Sequence, residues 1–430
     1  MNTSTVPTWQ SECCKSNRRG QLVMIEGAMI TCGITISYWI DFGLLFADPN
    51  PVSWRFPLAF QIFFALIILG FVMFLPESPR WLVLKGQEHR ATEVLTALLD
   101  DDPQSTIVQN ELVAIKATVL EMSKGSLRDM FTMTEDRHFH RTMLAYVNQM
   151  FQQISGINLI TYYIPKLLEE QVGMSIVNSR LIAACNGTEY FIASWVAVFT
   201  IERFGRRTLM LFGAAGMSLS MVILAITSSI GNNQANIACC VFLFVFNTFF
   251  AIGWLGMTWL YPAEIVPLKI RAPANALATS SNWIFNFLVV MITPVAFNNI
   301  GYQTYIIFAV MYVPLHLWPH LYSTNKNSNA FIFPVIFFFY PETTHRSLEE
   351  MDRIFRKTTS VFTLVRTAKE EPHMYGRHGE LLHTVDDVED DAVHAVRKYS
   401  ITDHPHKEHS EHVENNEKFS SGEDDGRGRT

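Results

Sequence analysis

The chain has 430 residues, of which 49% are hydrophobic and 17% charged, with 32 phenylalanines and a net charge of −7. A soluble protein carries roughly a quarter charged residues, so this composition excludes an ordinary soluble domain. Charge crowds residues 76–141 and the tail after Pro341 and is sparse in the apolar runs between them. The chain reads as an all-α transmembrane protein that partners a lipid bilayer and no nucleic acid.

Residues 1–21 are polar, with Lys15, Arg18 and Arg19. The first apolar run, 22–46, lacks a small-residue cleavage site and is too long for a signal peptide. It carries Glu26 and Asp41 near its ends, and a second run covers 56–75. Residues 76–141 are hydrophilic, with cations at 80, 85, 90, 116, 124, 128, 137 and 141, and predict amphipathic helices on a membrane surface. The third run is 142–165, the fourth 181–201 (interrupted by Asn186 and Glu189), the fifth 208–230, the sixth 236–262 and the seventh 276–297. The eighth starts at 302, is interrupted over 312–328 and resumes over 330–340. Residues 357–430 hold eight of the fourteen histidines with many Asp, Glu and Ser. They have too little apolar surface to pack, so they predict a disordered tail rather than a metal site.

Clusters of cations alternate along the chain. They precede the first run and occupy 76–141, Arg203-Phe204-Gly205-Arg206-Arg207, Lys269 with Arg271, and the stretch after Pro341. The alternate loops 47–55, 166–180, 231–235 and 298–301 are short and carry few. The positive-inside rule then puts both termini in the cytoplasm and requires an even number of spans, which eight satisfies. All six cysteines lie in or beside apolar runs, against an extracellular disulfide framework. Cys13 and Cys14, beside a helix start, read as palmitoylation sites or inert thiols. Asn186-Gly187-Thr188 spells a glycosylation sequon but falls mid-span, so it reads as unused.

The third run carries the densest polar signal: Gln152, Gln153, Asn158, Thr161, Tyr162 and Tyr163 within a stretch long enough to cross a bilayer. Such groups are costly in lipid and cheaper facing a water-filled cavity. Gly156 lowers helix propensity where they cluster, so a break is expected there. Uncharged hydrogen-bonding groups at a broken mid-membrane helix suit a neutral, polyhydroxylated solute. The other reading is glue between helices, because amides and hydroxyls also bond across them. Span ends on the cationic side carry Glu77 and Arg80, Glu202 with Arg206 and Arg207, Glu264 with Arg271, and Glu342. Carboxylates and guanidiniums gathered on one side predict a network that latches helix ends.

These residues together resemble the sugar porter family of the major facilitator superfamily, in particular its fungal hexose-transporter-like members. The elements are Pro76-Glu77-Ser78-Pro79-Arg80, the 152–163 stretch, Glu202-Arg203-Phe204-Gly205-Arg206-Arg207, Trp259 to Asn286, and Pro341-Glu342-Thr343 with Ser347 to Asp352. The resemblance spans about 1–356 and implies twelve helices in two six-helix bundles that move sugars by alternating access, as uniporters or proton symporters. On that reading the present runs are the family's fifth to twelfth, the first four are missing, and Met1 is an internal methionine. The chain as written is then expected to be an incomplete gene product that does not transport. The implied domains are 1–75, a two-span remnant; 76–141, a cytoplasmic linker; 142–356, a six-helix bundle; and 357–430, the tail. The resemblance further implies sugar contacts at Gln152, Gln153, Asn158, Tyr162, Trp259, Asn282 and Asn286, with no cofactor. Glu26-Gly27 and Tyr190 depart from residues that many relatives use for sugar. A plasma-membrane location is expected. A membrane sugar sensor would share every motif. An enzyme is disfavoured, because the spans hold no Ser/His/Asp set, no H-E-x-x-H and no Gly-rich phosphate loop.

The interruption at 312–328 has two readings. Two prolines and the polar stretch 323–328 fit an external or re-entrant loop. The alternative is a retained intron: Met311-Tyr312-Val313 is encodable with the splice-donor sequence GTATGT, and an AGY codon for Ser328 supplies the closing AG. Removing the last base of Met311, the sixteen codons 312–327 and two bases of Ser328 deletes 51 bases, keeps the frame and leaves an isoleucine codon. The joined run is then one bilayer-length span. Mature transcripts are expected to lack these bases; complementary DNA that retains them in essentially every message makes the loop the correct reading.

Overall fold

The computed structural model describes residue 6 and residues 9–10, 12–13, 19–123, 126–170, 172–312, 332–346 and 348–372. All secondary structure among them is helical: α1 Arg19–Leu45, α2 Val52–Val72, α3 Pro79–Leu84, α4 Glu88–Leu99, α5 Thr106–Ser123, α6 His138–Ile154, α7 Ile157–Glu170 and α8 Ile176–Phe204. They are followed by α9 Arg206–Ile230, α10 Asn233–Gly253, α11 Met257–Ile265, α12 Arg271–Ile300, α13 Gln303–Tyr312, α14 Ile332–Phe339, α15 Leu348–Lys357 and α16 Leu364–Glu370. Six helical stretches among the described residues are long and apolar enough to cross a membrane. They are α1, α2, α8, α9, the α10–α11 pair and a stretch from Leu268 to the end of α12. The third run is helical but broken, and the eighth appears as α13 and α14 on either side of residues outside the described set. The interruption expected over 312–328 therefore lies outside the described residues except for Tyr312 itself.

The helices of 138–355 share one large apolar core, in which Phe151, Leu159, Ile160, Phe246, Phe250, Trp254 and Tyr261 are nearly or fully buried. Helix α1 packs along α8 and contributes Val23 and Met24 to this core. Thr31 Oγ1 donates to Ser194 Oγ at 3.3 Å, Thr35 Oγ1 to the Gly187 carbonyl at 2.7 Å, and Trp39 Nε1 to Thr188 Oγ1 at 2.9 Å, so a polar seam crosses the α1–α8 contact. Helix α2 buries none of its residues; Leu58, Ile62, Leu66 and Leu69 point outward, as suits lipid.

Residues 79–123 form the three helices α3, α4 and α5. Ser78 caps α3 by accepting from the Trp81 amide at 3.3 Å, with Pro79 in the first turn. Leu82, Ala91, Leu95, Val108, Leu112 and Ile115 close a small separate core among α3, α4 and α5. Lys269, in the turn before α12, bonds Asp129 at 2.9 Å, and this hydrogen bond holds the half-buried Asp129 carboxyl below the usual carboxylate range.

Two boundaries differ from the sequence reading. Arg141 was placed in the linker as a surface cation but is fully buried in α6, where its guanidinium pairs with Asp352 and lies 4.1 Å from the Phe355 ring. The tail was placed from 357 onward, yet α16 continues the packed structure. Leu364 and Ala368 are buried, and Glu371 forms an ion pair with Arg353 at 2.8 Å and accepts from Lys357 at 2.9 Å. Sparse apolar residues suffice here because charge pairs fold the segment back onto α15. The disorder expected of the rest of the tail, 373–430, lies outside the described residues.

The expected break in the third run is present. Helix α6 ends at Ile154, Gly156 takes φ +88°, and α7 begins at Ile157. A Cβ at 156 would stand 2.9 Å from Met221 Cε and 3.0 Å from Phe308, so both the backbone and the packing demand glycine. Gly156→Ala is expected to cost about 1–3 kcal/mol, lowering the unfolding temperature of the detergent-solubilised protein; an unchanged midpoint contradicts the strain argument.

Candidate functional site: an amide cluster above a charged latch

Two polar assemblies stand out, one around the α6–α7 break and one where α8 turns into α9.

At the break, six amides interlock. Gln153 Nε2 donates to Asn282 Oδ1 at 3.1 Å, while Gln153 Oε1 accepts from Asn158 Nδ2 and from Asn286 Nδ2, the latter at 3.2 Å. Asn282 Nδ2 donates to both Gln149 Oε1 and Gln152 Oε1 at 2.7 Å. Gln149 Nε2 reaches the Thr258 carbonyl at 3.0 Å, one residue before the half-buried Trp259. Asn282 and Asn286, four apart on α12, share the face turned to α6, as their spacing predicts. Gln152 Nε2, Asn158 Oδ1 and Asn286 Oδ1 have no partner among the described residues and are not sealed from solvent. One donor and two acceptors are thus left over at the edge of an otherwise satisfied cluster, a set that a hydroxyl-rich solute can complete.

The structure gathers Gln152, Gln153, Asn158, Asn282 and Asn286; Trp259 is half-buried against the apolar core, one residue after the carbonyl that Gln149 reaches. The structure does not bring Tyr162 into the cluster: that side chain is 54% exposed, because the turn at Gly156 directs it to the opposite side of α7 from the buried Asn158, Leu159 and Thr161. The sequence reading missed Gln149 and Asn148. Gln149 stands three and four residues before Gln152 and Gln153, hence on the same helix face, and that spacing was the available signal.

At the latch, the buried Arg206 guanidinium sits between two carboxylates. Nη1 and Nη2 bond Glu202 at 2.8 and 3.1 Å, while Nη2 and Nε bond Glu264 at 2.9 and 3.1 Å. Thr343 Oγ1 adds a bond to Glu264 at 2.6 Å. Glu342 caps α9 from across the fold, accepting from the backbone N–H of Arg206 at 2.8 Å and of Arg207 at 3.1 Å. A carboxylate there meets unpaired amides and the positive end of the helix dipole. Gly205, at φ +88°, makes the approach feasible, since a Cβ would lie 2.5 Å from Glu342 Oε2. Arg207 turns away to the Phe337 carbonyl at 2.7 Å. Arg271 donates to the Val266 carbonyl at 3.0 Å. Glu77 is exposed and makes no ion pair among the described residues, and Arg80 is half-buried at the start of α3. The hydrogen bonds given above join Glu202, Arg206, Arg207, Glu264 and Glu342.

Comparison with known proteins agrees with this geometry. Residues 1–355 match the family model described as "Sugar (and other) transporter". The chain belongs to that family, within the major facilitator superfamily, a group of transporters and not of enzymes. It is 39% identical over 359 residues to the sugar transporter STL1 of Saccharomyces cerevisiae, covering 83% of this chain and 60% of that one. It is 38% identical to the MFS-type transporter oryC of Aspergillus oryzae, covering 84% of this chain and 65% of the relative. The chain thus spans less than two thirds of the length of these relatives. The XylE proton:xylose symporter bound to 6-bromo-6-deoxy-D-glucose superposes with a TM-score of 0.66 over 81% of this chain at 22% identity, which establishes the major facilitator fold. The chain is a multi-pass membrane protein.

Removing Arg206 leaves Glu202 and Glu264 as unpaired neighbouring carboxylates, and breaking a buried pair is costly. Arg206→Ala is expected to loosen this end of the bundle, so that a cysteine placed at the buried Gln149 is labelled faster. Equal labelling in the two backgrounds shows that the latch does not hold this end closed.

Proposed function

We propose that this chain supplies the carbohydrate-binding and gating elements of a hexose-like sugar transporter that works by alternating access, as a uniporter or proton symporter. The observation that carries the reading is the unfilled edge of the amide cluster: Gln152 Nε2, Asn158 Oδ1 and Asn286 Oδ1 stand free where the third run breaks between α6 and α7. Sugars offer hydroxyls that both donate and accept, and an apolar ring face suited to an indole. Gln153 and Asn282 hold the edge in place from behind. The names of the relatives support the same class, since STL1 is called a sugar transporter and XylE a proton:xylose symporter. Glu202, Arg206, Glu264 and Glu342 form the cytoplasmic gate, closed while the cavity faces outward. Both termini are cytoplasmic and the membrane is the plasma membrane.

A second reading is a membrane sugar sensor, favoured by 29% identity to the high glucose sensor RGT2 of Saccharomyces cerevisiae. Radiolabelled D-glucose uptake separates the two, measured in transporter-null cells expressing a chimera in which this chain replaces the matching part of STL1. Uptake supports transport; binding without uptake supports the sensor. In the same chimera Gln152→Ala or Asn158→Ala leaves a sugar hydroxyl or a neighbouring amide unpaired, at about 1–3 kcal/mol each, so uptake efficiency is expected to fall roughly 5- to 150-fold at retained surface level. Unchanged kinetics in both variants removes the cluster from the binding site.

A further inference from the structure

Between α8 and α10 lies a second intramembrane polar cluster that the sugar reading does not use. Glu189 stands near the middle of α8, and its Oε1 accepts from Thr248 Oγ1 at 2.5 Å. One turn earlier, Asn186 Oδ1 accepts from Asn247 Nδ2 at 2.6 Å. Asn186 and Asn247 are 3% and 1% exposed. Three polar atoms of this cluster are buried with no partner: Glu189 Oε2, Asn186 Nδ2 and Asn247 Oδ1. Asn186 is spent inside the bundle, which agrees with its sequon being unused.

We infer that Glu189 is an intramembrane proton-binding site, its carboxyl taking up and releasing a proton at Oε2 while Thr248 holds Oε1. This deepens the proton-symport form of the proposed function by naming a residue that carries the proton, but proton binding itself does not depend on sugar flux. The argument is one of charge and satisfaction. A carboxylate inside a bilayer without a cation is costly, and Glu189 has no ion pair among the described residues. The charged groups on the helices packed against α8 are engaged or placed elsewhere. On α1, Asp41 lies 3.9 Å from Arg180, and Glu26 sits near the opposite end of the helix. On α7, Lys166 pairs with Glu170 at 3.5 Å and Glu169 accepts from Ser179 at 2.7 Å. On α9, Arg206 is held by Glu202 and Glu264, and Arg207 by the Phe337 carbonyl. Tyr190, beside Glu189, is buried against Phe250 and offers no positive charge. Neutralisation must therefore come from a proton. Oε1 already has a donor, so the proton goes to the vacant Oε2. It turns that atom from an unmatched acceptor into a donor, in a cluster whose Asn247 Oδ1 is an acceptor lacking one. No other reactant is needed: water supplies the proton and receives it again. Helix α8 packs along α7, the helix that bears Asn158.

The test is pH-dependent infrared difference spectroscopy of the purified full chain in lipid nanodiscs. A protonated-carboxyl carbonyl band is expected near neutral pH and should be lost as the pH rises. Glu189→Gln keeps an acceptor for Thr248 but cannot titrate, so the part of the band due to Glu189 should be lost in it; Glu26→Gln, which removes the carboxyl of the first span that also has a buried, partnerless Oε2, should retain that part. Restoration of a titrating band by Glu189→Asp guards against a merely structural effect of the amide. Wild-type and Glu189→Gln spectra that superpose at every pH, or a Glu189 band that persists across the whole range, overturn the assignment. Neither outcome bears on whether sugar is carried, so failure here and failure of the transport reading remain distinct.

Discussion

The end of the bundle where α8 turns into α9 depends on one residue, Arg206. Its backbone N–H and guanidinium point to different partners, Glu342 on one side and Glu202 with Glu264 on the other. Four segments therefore meet at one α-carbon: the end of α8, the start of α9, the end of α11 and the turn after α14. Buried ion pairs of this kind add little net stability, because desolvation cancels much of the attraction. Their value is that they are expensive to break one at a time, because a lost partner leaves a buried charge uncompensated.

The amide cluster answers a different constraint. Uncharged polar groups inside a membrane must be satisfied by each other or by something that enters. All six of its amides come from the third run and α12 in a reciprocal arrangement, with Gln153 both donating and accepting across the interface. The break at Gly156 makes this geometry available. Without it Asn158 would continue the α6 face and stand away from Gln153, to which it now bonds. Helix distortion and cluster are one feature.

The legible parts of this molecule were those in which one residue's chemistry forces one local outcome. Gly156 in a polar cluster predicted a break, and the backbone turns there with positive φ. The cationic turn at 203–207 predicted a latch, and the carboxylates of Glu202, Glu264 and Glu342 converge on it. Less legible were outcomes decided by where a helix points. Tyr162 shared the polar stretch with Asn158 but faces away, and Gln149 was passed over although it is central. Arg141 looked like a surface cation and is the core partner of Asp352, a contact between residues more than two hundred positions apart. Residues 364–371 looked too charged to pack and are fastened by Arg353 and Lys357.

The sequence by itself determined that the chain lies in a membrane, that its helices carry a polar stripe at one break and that its charges collect at helix ends on one side. Apolar run length and charge segregation are local quantities, and the bilayer reads them without regard to fold. Only the tertiary structure decided which carboxylate meets which guanidinium, which amide valences stay open, and that Glu189 faces Thr248 instead of a cation. Those outcomes depend on the rotation of each helix about its axis, and several faces of a nearly uniform apolar helix satisfy lipid equally well. Close packing of neighbouring helices selects among them.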